Sequence, residues 1–279
     1  MILATEADRP AIEAFLTAHI ATAMFPLSNL RRHGMAGGHP RALNFWLKWQ
    51  AGAISDVLTI SEEGVLFPNC PTAPWAEARV ILAGTSVKGL LGDGAQVAAL
   101  RQTLSLTSPA GLDTVEPLYR LPLADLQHPD LDSFSLRPLA AAPEGLAVAW
   151  RCAYLEEVLP MPGEDTRMTA TNDIASYIKA DSHRMLFRGD DPVAMTGFNA
   201  VLPEAVQIGG VYTPPDLRGC GLARRAVAMH LLQARESGVA QAILFAASTA
   251  AARAYEAIGF SRIGDFTIAM YENPQVIHV

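Results

Sequence analysis

The stretch "VYTPPDLRGCGLARRAVA", residues 211–228, decides the fold. It opens with β-branched and aromatic residues, as a strand does. Pro214 and Pro215 cannot donate to a ladder, so the strand must stop there. Gly219 and Gly221 then permit backbone conformations and close approaches that a side chain forbids. From Leu222 the sequence turns rich in alanine and arginine and reads as a helix ending at Gly238. A helix entered through glycines offers unbonded N–H groups and the positive end of its dipole. Such an entry is an anion site, and Arg218, Arg224 and Arg225 add mobile cations beside it. The expected ligand group is a phosphate or pyrophosphate.

Two common phosphate loops do not fit. A P-loop needs Gly-Lys-Ser/Thr, whereas Gly221 is followed by Leu222 and Ala223. A dinucleotide fingerprint needs a third glycine where Arg224 stands. "RGCGLA" (218–223) instead resembles the Arg/Gln-x-x-Gly-x-Gly/Ala loop of the GNAT family of acyl-CoA-dependent N-acyltransferases. The surroundings match as well: a strand before the loop, a long helix after it, strand "AILFAAS" (242–248), and a helix ending "AYEAIGF" (254–260). The Tyr-x-x-x-Gly-Phe ending, Tyr255 to Phe260, is a second family signature, and the resemblance extends over residues 145–272.

The resemblance implies a set of roles. Acetyl-CoA is the default donor, and an amine attacks its thioester directly in a ternary complex. Val211, Tyr212 and Thr213 lie beside the pantetheine arm, which pairs with the strand backbone; a bulge at Gly209-Gly210 frees that backbone from its neighbour. Arg218, Gly219, Cys220, Gly221, Leu222, Ala223 and Arg224 hold the pyrophosphate, with Ser248 and Ala251 completing the donor contacts. Ser248 stands where the family often has asparagine, seven residues before the tyrosine, which shortens that contact. Tyr255 protonates the departing thiolate; a phenol of pKa ~10 beside a thiol of ~8.5 is neutral and able to donate at pH 7. The base is less defined, because the strand before the loop carries no acid after Glu204. Glu156 and Glu157 occupy adjacent helical positions in "AYLEEVLP" (153–160), so one faces the cleft, and Glu157 is the candidate for the acceptor side.

The 279 residues suit two domains, and 50% hydrophobic with 18% charged residues describes a folded chain. A net charge of −7 argues against a general nucleic-acid binder. Three widely spaced cysteines form neither a disulfide framework nor a zinc site, and no metal is expected. The acidic start and the absence of a long apolar run point to a cytoplasmic protein without a membrane partner. A monomer or homodimer acting on a small-molecule or peptide amine is expected.

The pattern of helices, strand meander, glycine turn and helix occurs twice. The expected fold is mixed α/β, with two GNAT-like domains, each a mostly antiparallel twisted sheet flanked by helices. The expected boundaries are 1–132 and 133–279, with a turn-rich linker at "HPDLDSFSLRP" (128–138). In the first domain "ARVILAG" (78–84) reads as a strand, and "VKGLLGDGAQVAALRQTL" (87–104) as the counterpart of the donor loop. Asp93 there would repel a pyrophosphate, so the first domain is expected to be degenerate. Two other classes remain open at this level: a catalytically silent acyl-CoA sensor, and an interaction protein that keeps only the fold.

Overall fold

The computed structural model describes residues 1–158 and 165–278. The chain runs β1 (Ile2–Leu3), α1 (Arg9–Ala18), α2 (Ile20–His33), β2 (Leu43–Gln50), β3 (Ala53–Ser61) and β4 (Val65–Asn69). It continues through α3 (Trp75–Ile81), β5 (Ser86–Asp93), α4 (Gly94–Thr103), β6 (Ala110–Pro122) and β7 (Phe134–Pro138). The remainder is α5 (Leu146–Val158), α6 (Thr166–Ala180), β8 (His183–Arg188), β9 (Asp191–Val201), β10 (Ala205–Tyr212), α7 (Leu222–Glu236), β11 (Gln241–Phe245), α8 (Thr249–Glu256) and β12 (Ser261–Val276). The helical positions expected in "AYLEEVLP" (153–160) fall in α5; the last two residues of that stretch lie outside the described ones.

The chain forms two compact units, Met1–Glu116 with Gly264–Val279, and Pro117–Ile263. This differs from boundaries of 1–132 and 133–279, for two physical reasons. The end of β6 pairs antiparallel with β11, Leu118 opposite Phe245 through Pro122 opposite Gln241, and so belongs to the second unit. β12 leaves the second unit and pairs antiparallel with β5, Phe266 opposite Asp93 through Val276 opposite Ser86. The expected linker is no linker either: Phe134–Pro138 pairs with β8 as an edge strand of the second unit.

In the first unit the strands follow the order β1-β2-β3-β4-β5-β12, antiparallel except that β4 and β5 run parallel. Its core gathers Leu58, Leu66, Leu82, Leu90 and Leu100. Residues 78–81, expected as strand, end α3; a short apolar run does not distinguish the two states, and the strand starts at Ser86. In the second unit β11, β10, β9, β8 and β7 follow one another, with β10 and β11 parallel and the rest antiparallel. Helix α7 buries Leu222, Ala226, Val227, Leu231 and Ala234 at helical spacing. Helices α5 and α6 cover the other face, over Met185, Phe187 and Met195.

Both units repeat one topology: a strand, a helix, a strand parallel to the first, a second helix. In the first unit this is β4-α3-β5-α4, and in the second β10-α7-β11-α8. The counterpart of the 213–221 loop is therefore 70–74, not 87–104. Asp93 corresponds to Ser248: each caps the second helix, Asp93 accepting from Gln96 N–H at 3.0 Å and Ser248 from Ala251 N–H at 3.1 Å.

Candidate donor site

β10 pairs with β11 only from Ala205 to Gln207. Against β9, Gly209 stands opposite Gly197, yet Tyr212 stands opposite Met195, so β10 carries one extra residue. Gly210 takes up the bulge at φ +62°, a conformation that favours glycine. The bulge expected at Gly209-Gly210 is present, and β10 beyond Gln207 has left β11, with Val211 partly buried and Tyr212 buried. Its position is secured from the α5–α6 face. The imidazole of His183, stacked on Tyr177 at 3.6 Å between ring centroids, lies over Gly197 and reaches Gly210. Ser182 Oγ holds its Nδ1 at 2.9 Å, and Nε2 is buried without a partner. Burial, with the Arg151 and Arg184 cations, lowers the His183 pKa to about 3, so the ring is neutral.

Pro214 begins a single 3₁₀ turn over Pro215–Leu217, and the chain then enters α7 through Gly219 (φ +79°) and Gly221 (φ +70°). Among the described residues, the N–H groups of Gly219, Cys220, Gly221, Leu222 and Ala223 have no acceptor. No side chain caps the helix. Two buried polar atoms nearby also lack partners, Thr213 Oγ1 and Arg224 Nε. An orphaned buried polar group costs roughly 1–3 kcal/mol, which applies to Thr213 Oγ1 and Arg224 Nε; the loop N–H groups are those that any helix leaves unbonded in its first turn.

The arginines are not equally mobile. Arg225 clamps the loop: its Nη1 donates to the carbonyls of Cys220 (3.0 Å) and Gly221 (3.3 Å), and its Nε to that of Asp130 (3.1 Å). It also lies over the Phe134 ring at 5.1 Å, so it shapes the loop and is not a free cation. Arg224 folds back over Gly221, where an added Cβ would meet its Nε at 3.0 Å. Arg218 donates from Nε to the carbonyl of Thr213 at 2.9 Å and from Nη2 to Glu157 at 2.7 Å. The expected acceptor-side carboxylate is thus brought to the expected pyrophosphate arginine. Cys220 is exposed, with Sγ 3.7 Å from the Arg218 carbonyl.

Tyr255 sits on α8 in the core, 7% exposed, edge-on to Phe260 at 6.0 Å. Burial, together with the Tyr154 phenol of α5, pushes its hydroxyl above the usual tyrosine range. It therefore keeps its proton through neutral pH. Ala251 packs beside it at the edge of the same cluster.

The first unit's loop is chemically different. Asp56, fully buried on β3, accepts from Thr72 N–H at 2.8 Å, Thr72 Oγ1 at 2.7 Å and Ser55 Oγ at 2.8 Å. Ala73 N–H bonds to the Cys70 carbonyl and Trp75 N–H to the Ala73 carbonyl, while Pro71 and Pro74 have no N–H to offer. The polar hydrogens of Thr72 are thus taken by an internal carboxylate. Neither Asp56 nor His183 stood out in the sequence, where a lone aspartate or histidine in a strand is unremarkable.

Among the described residues no helix is long and apolar enough to cross a membrane, and no group of His, Cys, Asp and Glu could hold a metal ion. Residues 148–260 match the model of the acetyltransferase (GNAT) family. No curated protein matches the chain. Among solved structures it is similar to a Drosophila protein (TM-score 0.61, 14% identity, 98% of this chain and 99% of that one). A GCN5-related N-acetyltransferase from Kribbella flavida aligns with TM-score 0.56 and 19% identity over 92% of this chain and 96% of that one. A tandem GNAT protein from the clavulanic acid biosynthesis pathway aligns with TM-score 0.50 and 14% identity over 95% and 96%. At these identities the likeness is one of fold, and it spans both units.

Proposed function

Since the chain belongs to the GNAT superfamily, with its second unit carrying the family match, we propose that this unit is an acyl-CoA-dependent N-acyltransferase with acetyl-CoA as the default donor. One observation carries the reading: a row of unbonded N–H groups from Gly219 to Ala223, with the orphaned Arg224 Nε and Thr213 Oγ1 beside it. These groups suit a pyrophosphate, which would satisfy donors the fold leaves empty. The free backbone of β10 suits an extended amide-bearing arm laid along it.

The chain's residues then divide the work. Arg218 to Arg224 hold the donor's phosphates, Val211 to Thr213 orient its arm, and Ser248 stands at the start of α8 as a further contact. The neutral nitrogen of an amine acceptor attacks the thioester carbonyl, the C–S bond breaks, and the Tyr255 hydroxyl gives its proton to the leaving sulfur. The amine's own proton leaves to water. The phenol is protonated at neutral pH, as a donor must be. In the first unit the Asp56 carboxylate already takes the loop, so we assign one donor per chain.

A catalytically silent acyl-CoA sensor is the second reading, motivated by the lack of a carboxylate on β10. Calorimetric titration with acetyl-CoA and CoA, followed by a panel of amines, separates the two. One site per chain with acyl transfer to any amine supports the enzyme. One site with no transfer across the panel supports the sensor, and no binding removes both.

A further inference from the structure

The ion pair between Glu157 and Arg218 joins the last turn of α5 to the donor loop. That is an unfavourable place for a carboxylate, because the helix C-terminus carries partial negative charge. Among the described residues its neighbour Glu156 has no cationic partner, so Arg218 is what draws Glu157 in. Arg218 is in turn pre-aimed, tethered through Nε to the Thr213 carbonyl and set over the Tyr212 ring at 5.8 Å. The guanidinium therefore waits with Nη2 on a carboxylate at 2.7 Å, beside the unbonded N–H groups of Gly219 to Ala223.

We infer that Glu157 is a placeholder for the donor's pyrophosphate on Arg218, released when the donor binds; this rests on the donor reading above. Both side chains are about half exposed, 48% for Arg218 and 41% for Glu157. An exposed pair of this kind is weak and readily exchanged. A pyrophosphate brings more charge and also satisfies the loop N–H groups, which Glu157 does not reach. Asp56 in the first unit makes the contrast. It is fully buried and held by three hydrogen bonds, so it is a permanent occupant, whereas Glu157 is a displaceable one. Its release leaves a free carboxylate on α5, complementary to a cationic amine, only after the donor is in place. Glu157 is a positioning residue in this scheme and touches no reacting atom.

The test is calorimetric titration of the full chain with CoA, inorganic pyrophosphate and pantetheine, which lacks phosphate. Glu157→Gln should tighten CoA and pyrophosphate by about two- to five-fold, the scale of an exposed ion pair, and leave pantetheine unchanged. Glu156→Gln should match the wild type. In an Arg218→Ala background Glu157→Gln should have no effect. Unchanged or weaker CoA binding by Glu157→Gln, with the wild type binding normally, overturns the placeholder and leaves the donor reading standing. Failure of the wild type to bind CoA or pyrophosphate overturns both.

Discussion

The imidazole of His183 occupies the space that a side chain on Gly197 would need, and a Cβ on Gly210 would lie 2.7 Å from its Nε2. The ring is a flat spacer between the Tyr177 phenol and the glycine row of β9 and β10. Gly197→Ala should therefore push the ring out and disturb the bulge. The expected cost is about 1–3 kcal/mol by urea unfolding, the usual penalty for overfilling a packed site. It should be accompanied by weaker CoA binding, since β10 carries the donor's arm. Unchanged stability would show that the ring has room to move.

His183 also makes stability depend on pH. Its folded pKa is near 3, against ~6.5 when unfolded, so between these values the unfolded chain binds a proton that the folded ring refuses. Stability should fall as pH drops through this window, by roughly 2 kcal/mol at pH 5. His230, stacked on Phe198 and likewise lowered by burial, acts in the same direction. His183→Phe keeps a flat ring without the titrating group. Denaturant midpoints at pH 7.5 and 5 should show the variant losing about 2 kcal/mol less than the wild type.

Tyr255→Phe should leave CoA affinity nearly unchanged and lower turnover by roughly ten- to a hundred-fold, as removal of a general acid does. Its ring packs against Phe260 and needs no hydroxyl to do so, which makes a folding defect an unexpected result. Equal turnover by steady-state kinetics removes the hydroxyl from the reaction.

Asp56→Asn replaces an acceptor of three hydrogen bonds by an amide whose NH₂ cannot accept. A loss of about 1–3 kcal/mol is expected, read from thermal or urea unfolding. The CoA stoichiometry should stay at one per chain, because Pro71 and Pro74 leave that loop short of donors. A second site in the calorimeter would mean that Asp56 is merely a plug in a competent pocket.

Much of the second unit was legible because its signals are local. Pro214 ends β10, Gly219 and Gly221 shape the loop, and the spacing of Leu222, Ala226 and Leu231 defines a helix face. The bulge at Gly209-Gly210 was legible for the same reason. What the sequence concealed depends on partners far away along the chain. Residues 78–81 are as apolar as a strand and become helix because β5 takes the sheet position. The attachment of Glu157 to Arg218, and of Asp56 to Thr72, joins residues 61 and 16 positions apart. The domain boundary failed most plainly, since no composition shift at Gly264 announces that the last strand crosses over.

That crossing fixes an order of assembly. Residues 117–263 are continuous and are all synthesised before residues 264–276, the strand that the first unit needs beside β5. The unit made first is thus finished last, and until then β5 presents an open edge to other chains. A fragment cut at residue 132 would keep that edge for good, so it should aggregate rather than behave as an isolated domain. The two halves of this sequence are duplicates in pattern, but only the second unit is continuous along the chain.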